Sequence, residues 1–266
     1  MSDEFDPKVD LPGLDAWVKR DPDGTVWSLG VSGPEGATFE TRLLGKLPNL
    51  RSIRLWDVQI EPSIWDGLTQ LPDLRTVEML GVRNNCRGVR KLKACPKLFK
   101  LDLRDRAVDD ATLREIVEIT QLEELVLIDT SVFDIRPIEP LANQLRYLDL
   151  SGTQVGDAQM GTVARCWKLR QLGLEGTRVS DEGLRCLTSL KYLKYLTIQE
   201  SYITTKAFSI LPWFHDLEIL YIGLPVTEDA LQHLRQLMRL RELYVGDAVS
   251  EEEKEKIEQY LGAVVE

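Results

Sequence analysis

The fold class this sequence predicts is an α/β solenoid: right-handed and horseshoe-shaped, with a parallel sheet on the concave side and helices or 3-10 segments on the convex side. Two observations carry it. An apolar pattern of the form L-x-x-L-x-L recurs along nearly the whole chain at steps of 23 or 24 residues. Each recurrence is followed by apolar residues spaced three apart instead of two, the change that separates a helical turn from a strand. A fixed period of that length marks stacked repeats that share a core with their neighbours.

In chain order, residues 1–25 predict an N-terminal cap, with Leu11, Leu14, Trp17 and Val18 on one face of a helix over residues 11–20. The strand-bearing frame then starts at positions 26, 50, 74, 98, 122, 145, 169, 193, 217 and 240, which makes ten units over residues 26–249. Leu98, Leu101 and Leu103 show the pattern in pure form, as do Leu169, Leu172 and Leu174. After each strand comes a small polar residue and then V-x-D. Asp157, Asp181 and Asp229 stand where a helix N-cap is wanted. Thr130, Thr153, Thr177 and Ser201 share one repeat position and predict a row of hydroxyls satisfying turn backbone groups. Pro137 and Pro140 fill the helical half of the unit starting at Leu122, and Asn84-Asn85-Cys86 replaces a V-x-D element, so an irregular convex side is expected there. Residues 250–266 predict the C-terminal cap. Ser250 and Glu253 form an S-x-x-E capping box, Ile257, Tyr260 and Leu261 point inward, and Ala263-Val264-Val265 can add an edge strand.

With those residues in place, the chain resembles the leucine-rich-repeat family, nearest its cysteine-containing class of 23–24-residue repeats. ACPKL at 94–98 and RCWKL at 165–169 match the end of that unit, and TRVSDEGLRCL at 177–187 matches its middle. The resemblance covers residues 26–266. It implies a protein-interaction scaffold and, for relatives of this class, an adaptor or substrate-receptor subunit of a larger complex.

Composition narrows the function. The formal net charge is -10, which opposes nucleic acid and anionic membranes as partners, since both select for surplus Lys and Arg. The acidic start MSDEFDPKVD shows no secretory signal, and no apolar run reaches the ~18 residues a membrane span needs. Four cysteines without a C-x-x-C pair suit a reducing cytoplasm, with Cys95, Cys166 and Cys186 at apolar repeat positions as buried thiols. His215 and His233 are the two histidines; neither stands near a plausible nucleophile, and no phosphate-binding, zinc-protease or hydrolase motif is present. No enzyme, cofactor or metal is expected.

Function then falls on the strand face. Strand residues alternate sides, so the third, fifth, seventh and eighth repeat positions face the concave side. Two groups emerge from those columns. Tyr147, Tyr195, Ile219, Tyr221, Leu224 and Tyr244 make an aromatic patch, while Glu78, Asp102, Asp105, Glu124, Asp129 and Asp149 outnumber Arg54, Lys100 and Arg104 in the middle of the chain. Together they predict a monomeric, non-catalytic scaffold that binds a protein or peptide with basic and apolar features. Three readings compete with it: cross-strand pairing of the tyrosines, a solvating role for the acids, and a carboxylate metal site or hydrolase at Asp102, Asp105 and Asp129.

Overall fold

The computed structural model describes residues 5–82, 86–246 and 249–266. Asn84 and Asn85, and Asp247 of the predicted eighth column, lie outside the described residues. The chain divides into two compact units, Met1–Ser131 and Val132–Glu266.

The first unit runs α1 (Pro7–Asp10), β1 (Asp15–Arg20), β2 (Val26–Ser32), β3 (Thr38–Phe39), β4 (Ser52–Trp56), β5 (Gln59–Ile60), α2 (Ile64–Thr69), β6 (Thr76–Leu80), β7 (Lys100–Arg104), α3 (Asp110–Ile116) and β8 (Glu124–Val126), with 3-10 segments at Thr41–Lys46 and Val89–Ala94. Its main sheet has the order β1-β2-β4-β6-β7-β8. Register is one repeat per step: Ser52 pairs with Thr76 and Thr76 with Lys100. The three leucine-type positions of each repeat close the core, with Leu50, Ile53, Leu55, Leu98, Leu101 and Leu103 all fully buried. From the helical side Trp65, Leu68, Leu113 and Ile116 fill the space beneath them.

The predicted helix over residues 11–20 does not form. Residues 15–20 are a strand, antiparallel to β2, with Trp17 opposite Gly30. The reason is hydrogen bonding. A parallel stack leaves the N–H and C=O groups of its first strand unpaired, and an added strand satisfies them where a helix would leave them open. Gly30 makes room for the Trp17 ring: a Cβ at Gly30 would lie 2.1 Å from Trp17 Cε2.

The second unit runs β9 (Tyr147–Asp149), α4 (Asp157–Val163), β10 (Gln171–Gly173), α5 (Asp181–Cys186), β11 (Tyr195–Thr197), β12 (Ile219–Tyr221), α6 (Glu228–Leu234), β13 (Glu242–Tyr244), α7 (Glu251–Leu261) and β14 (Val264–Val265). These six strands follow sequence order in a parallel sheet. Pro137 and Pro140 sit in a 3-10 segment, Arg136–Leu141, because prolines deny an α-helix its backbone donors. The expected hydroxyls bond as a turn requires: Thr153, Thr177 and Ser201 of this unit each donate to the carbonyl three residues earlier, at 2.6 Å for Thr177 and Ser201, and Thr130 of the first unit does the same at 2.9 Å.

The helix caps differ from expectation in an informative way. Gly156, Ser180 and Thr227 occupy the N-cap positions, not Asp157, Asp181 and Asp229. Asp157 instead reaches the next repeat, accepting from Ser180 N at 2.8 Å and from Ser180 Oγ at 2.6 Å. Asp181 does the same to Thr204 N at 2.9 Å and Thr204 Oγ1 at 2.6 Å. Each aspartate therefore orients the hydroxyl that caps the following helical turn, so the V-x-D element is a tie between repeats. The third aspartate, Asp229, faces His233 at 3.9 Å.

Two further expectations change. Cys186 is exposed, whereas Cys86, Cys95 and Cys166 are buried. The buried column passes through Cys95, Ile119, Cys166, Leu190 and Phe214, and Cys186 falls four residues before Leu190, on the outward side of α5. At the C-terminus, Tyr260 is exposed with the Arg235 guanidinium 5.2 Å above its ring, while Ile257 alone of the predicted trio is buried. The capping box forms as expected, with Ser250 N donating to Glu253 Oε2 at 3.0 Å, and Val264 and Val265 pair with β13.

Candidate binding face

The turn after each strand decides several acidic positions. Asp57, Asp129 and Glu200 have positive φ, as do Gly81, Gly152 and Gly176 in the same column. The chain needs a left-handed residue there, which Gly adopts freely and Asp tolerates. Asp129 thus has a backbone role that its charge does not explain. In the last two repeats the left-handed residue is Gly223 or Gly246, one place earlier in the repeat. Leu224 accordingly lies past the turn instead of at the end of the strand.

In the first unit the remaining acids are largely neutralised. Glu78 and Asp102 are buried. Glu78 accepts from Arg54 Nε, and from Lys100 Nζ at 2.8 Å. Burial pushes its carboxyl up, but the hydrogen bonds from Arg54 and Lys100 outweigh that and leave it below the ordinary glutamate range. Asp102 receives a two-pronged contact from Arg104, Nε and Nη2 both at 2.8 Å. Glu124 is half-buried, and burial pushes its carboxyl up against the pull of Lys100. Asp105 closes its own turn by accepting from Ala107 N at 2.7 Å. Among the described residues no His, Cys, Asp or Glu group converges to hold a metal ion.

The second unit brings the aromatic residues together. Tyr221 of β12 pairs in register with Tyr244 of β13, and Tyr195 of β11 pairs with Ile219. The Tyr221 and Tyr244 rings stack at 3.8 Å between centroids and 4° between planes; Tyr195 and Tyr221 lie 5.4 Å apart, tilted by 44°. All three rings are half-buried. Tyr147 stands apart from them, donating its hydroxyl to Asp149 Oδ2 at 2.9 Å. Asp149 also accepts from Ser151 N at 3.0 Å and folds over Gly173, where a Cβ would come within 2.1 Å of its Oδ1. Asp149 is therefore held inside a notch in the sheet and offers little of its carboxylate to a ligand.

Burial is the first cause that pushes the Tyr195 hydroxyl from 10.0 up to about 12, with Tyr221, Asp149 and Glu175 adding to it. The folded state favours the neutral phenol. Stability from this group is therefore complete below pH 10 and is lost as pH rises from 10 towards 12. Phenolate absorbance of the native protein minus that of Tyr195→Phe should show its midpoint near pH 12. A midpoint near 10 would mean that the ring is solvated.

The repeated strand–turn–helix unit, the parallel one-repeat register and the leucine ladder define a leucine-rich-repeat fold. Solved structures agree. An internalin (inlF) of Listeria monocytogenes matches with a TM-score of 0.58 at 21% identity, over 81% of this chain and 67% of that one. A leucine-rich-repeat protein of Leptospira interrogans matches at 0.57 and 19% identity, over 87% of this chain and 58% of that one. The leucine-rich-repeat ectodomain of a plant membrane receptor kinase from Arabidopsis thaliana, solved in complex with Casparian strip integrity factor 2, matches at 0.52 and 16% identity, over 79% of this chain and 26% of that one. No family model matches the chain, and no curated protein is significantly similar to it. No helix among the described residues is long and apolar enough to cross a membrane.

Proposed function

We propose that this chain is a non-catalytic scaffold that binds a protein or peptide on the strand face of its second unit. The observation that carries the proposal is the tyrosine row: Tyr195, Tyr221 and Tyr244 touch one another across three adjacent strands while each ring stays half-exposed. Rigid aromatic rings that are already packed lose little conformational freedom on binding, which is why tyrosine is favoured at binding hot spots. Ile219, in register with Tyr195, supplies an apolar neighbour to it, while Tyr147 on β9 and Leu224 past the turn after β12 are outlying members of the same surface. Glu242, which accepts from the Tyr244 hydroxyl at 3.2 Å, gives the row a polar rim. A partner with an apolar anchor and a basic flank fits this chemistry. The plant receptor ectodomain in complex with Casparian strip integrity factor 2 is one instance of a leucine-rich-repeat protein holding another molecule.

The test is capture with the native protein and with Tyr221→Ala/Tyr244→Ala, alongside thermal unfolding of both. The expected result is a partner bound by the native protein and weakened roughly 30-fold or more in the variant, as for hot-spot residues worth ~2 kcal/mol or more. Capture unaffected in a variant that still folds would mean that the tyrosines serve only cross-strand packing, worth ~0.2–1 kcal/mol per pair.

A further inference from the structure

A second surface of the same unit has the opposite chemistry. Where the strands of the second unit begin, the backbone places Arg146, Arg170, Lys194, Glu218 and Arg241 in one row: each N–H donates to the carbonyl of the preceding member at 2.8 Å. Basic residues dominate that row in a chain whose net charge is -10. Lys194 is paired with Glu218 at 2.5 Å, but Arg170 forms no ion pair among the described residues.

Aromatic side chains interleave with these cations. Trp167, Tyr192 and Trp213 are 46%, 53% and 58% exposed. Trp167 and Tyr192 meet at 6.4 Å between centroids, tilted by 55°, and the Trp167 indole donates its N–H to Asn143 Oδ1 at 3.2 Å. That bond fixes the ring and uses up its one polar atom, leaving an apolar face to solvent. Lys168 lies 5.1 Å from the Trp167 ring and Lys191 5.9 Å from the Trp213 ring. Arg146, Trp167, Lys168, Arg170 and Tyr192 line one shallow cleft. Nothing in the folding of a repeat asks for three large aromatics on its outer edge, and each costs the protein exposed apolar surface.

We propose that this edge is a second docking surface, for a short acidic peptide segment carrying an aromatic or aliphatic residue. Guanidinium and ammonium groups take its carboxylates, Arg170 in the bidentate manner open to arginine, and the Trp167–Tyr192 pair takes its apolar side chain. The occupant is short and peptidic for an electrostatic reason. A long polyanion such as nucleic acid gains affinity by replacing many counterions, whereas here Glu218 occupies part of the row and the rest of the chain repels a long polyanion.

Fluorescence anisotropy of a labelled peptide of about a dozen residues, rich in Asp and Glu around one central Phe, tests this. Expected are saturable binding, a loss of at least tenfold in Arg170→Glu/Lys168→Glu, a smaller loss in Trp167→Ala, and weakening as salt rises. The Tyr221→Ala/Tyr244→Ala variant should bind this peptide as well as the native protein does, which separates this surface from the tyrosine row. No saturable binding, or binding that survives the charge reversal in a folded variant, overturns the proposal. So does a single-stranded oligonucleotide that binds as tightly as the peptide, since it would place a polyanion on this edge instead.

Discussion

Phe214→Ala is expected to lower stability by ~3–5 kcal/mol, the range for deleting a fully buried aromatic ring. Phe214 is completely buried between the 3-10 segment Leu211–Trp213 and the strand that follows. Its column is held elsewhere by smaller side chains, Cys95, Ala142 and Cys166 among them, so the local backbone has adapted to a ring that alanine cannot replace. In a stacked array each repeat is stabilised by its neighbours. The loss should therefore appear as faster amide exchange in β11, β12 and β13, fading with distance along the stack. Chemical denaturation gives the magnitude. A loss under ~1.5 kcal/mol would show that the site collapses around alanine and that the ring is not what holds this repeat. Tyr244→Ala, by contrast, removes a half-exposed ring from the strand face and should cost ~1 kcal/mol or less.

That contrast marks what the sequence made legible. The leucine frame is read directly, because burial imposes one residue class at fixed intervals and a parallel register repeats it. Phe214, Cys95 and Cys166 follow from it once the column is aligned. The tyrosine row was also legible, since residues one repeat apart in the same column become neighbours. The acidic group was only partly so. Charge can be counted from sequence, but the contact of Arg104 with Asp102, or of Arg54 and Lys100 with Glu78, depends on side-chain reach across strands. Asp129 and Asp157 show a second limit: the same residue type serves a left-handed turn in one place and a tie between repeats in the other. The left-handed role had a visible signal, for Gly81, Gly152 and Gly176 share the column of Asp129. The basic and aromatic edge is not legible from the strand-face columns, because its residues stand outside them, before each strand begins.

The N-terminal cap carries the other large expectation. Gly30→Ala should cost ~1–3 kcal/mol, the range for overpacking a filled site, because the new methyl would overlap the Trp17 ring at 2.1 Å. Gly30 is part of β2, whose backbone is fixed on its other side by β4, so the ring has to yield. Trp17 is already 38% exposed, and turning it outward loosens β1 along its whole antiparallel pairing. Leu11, Leu14, Trp17 and Val18 are spaced for one helical face, yet Asp15–Arg20 is a strand, since a spacing of three or four cannot reveal that the first strand of a parallel stack needs a partner for its edge. Once β1 loosens, that edge becomes available to other chains, so faster proteolysis before Val26 and concentration-dependent association should accompany the stability loss. A double-mutant cycle decides the cause. On a Trp17→Ala background the ring is gone and Gly30→Ala should cost little, giving a coupling of ~1 kcal/mol or more between the two positions. Equal costs on both backgrounds would mean that the alanine harms β2 itself, and that Trp17 does not require the glycine opposite it.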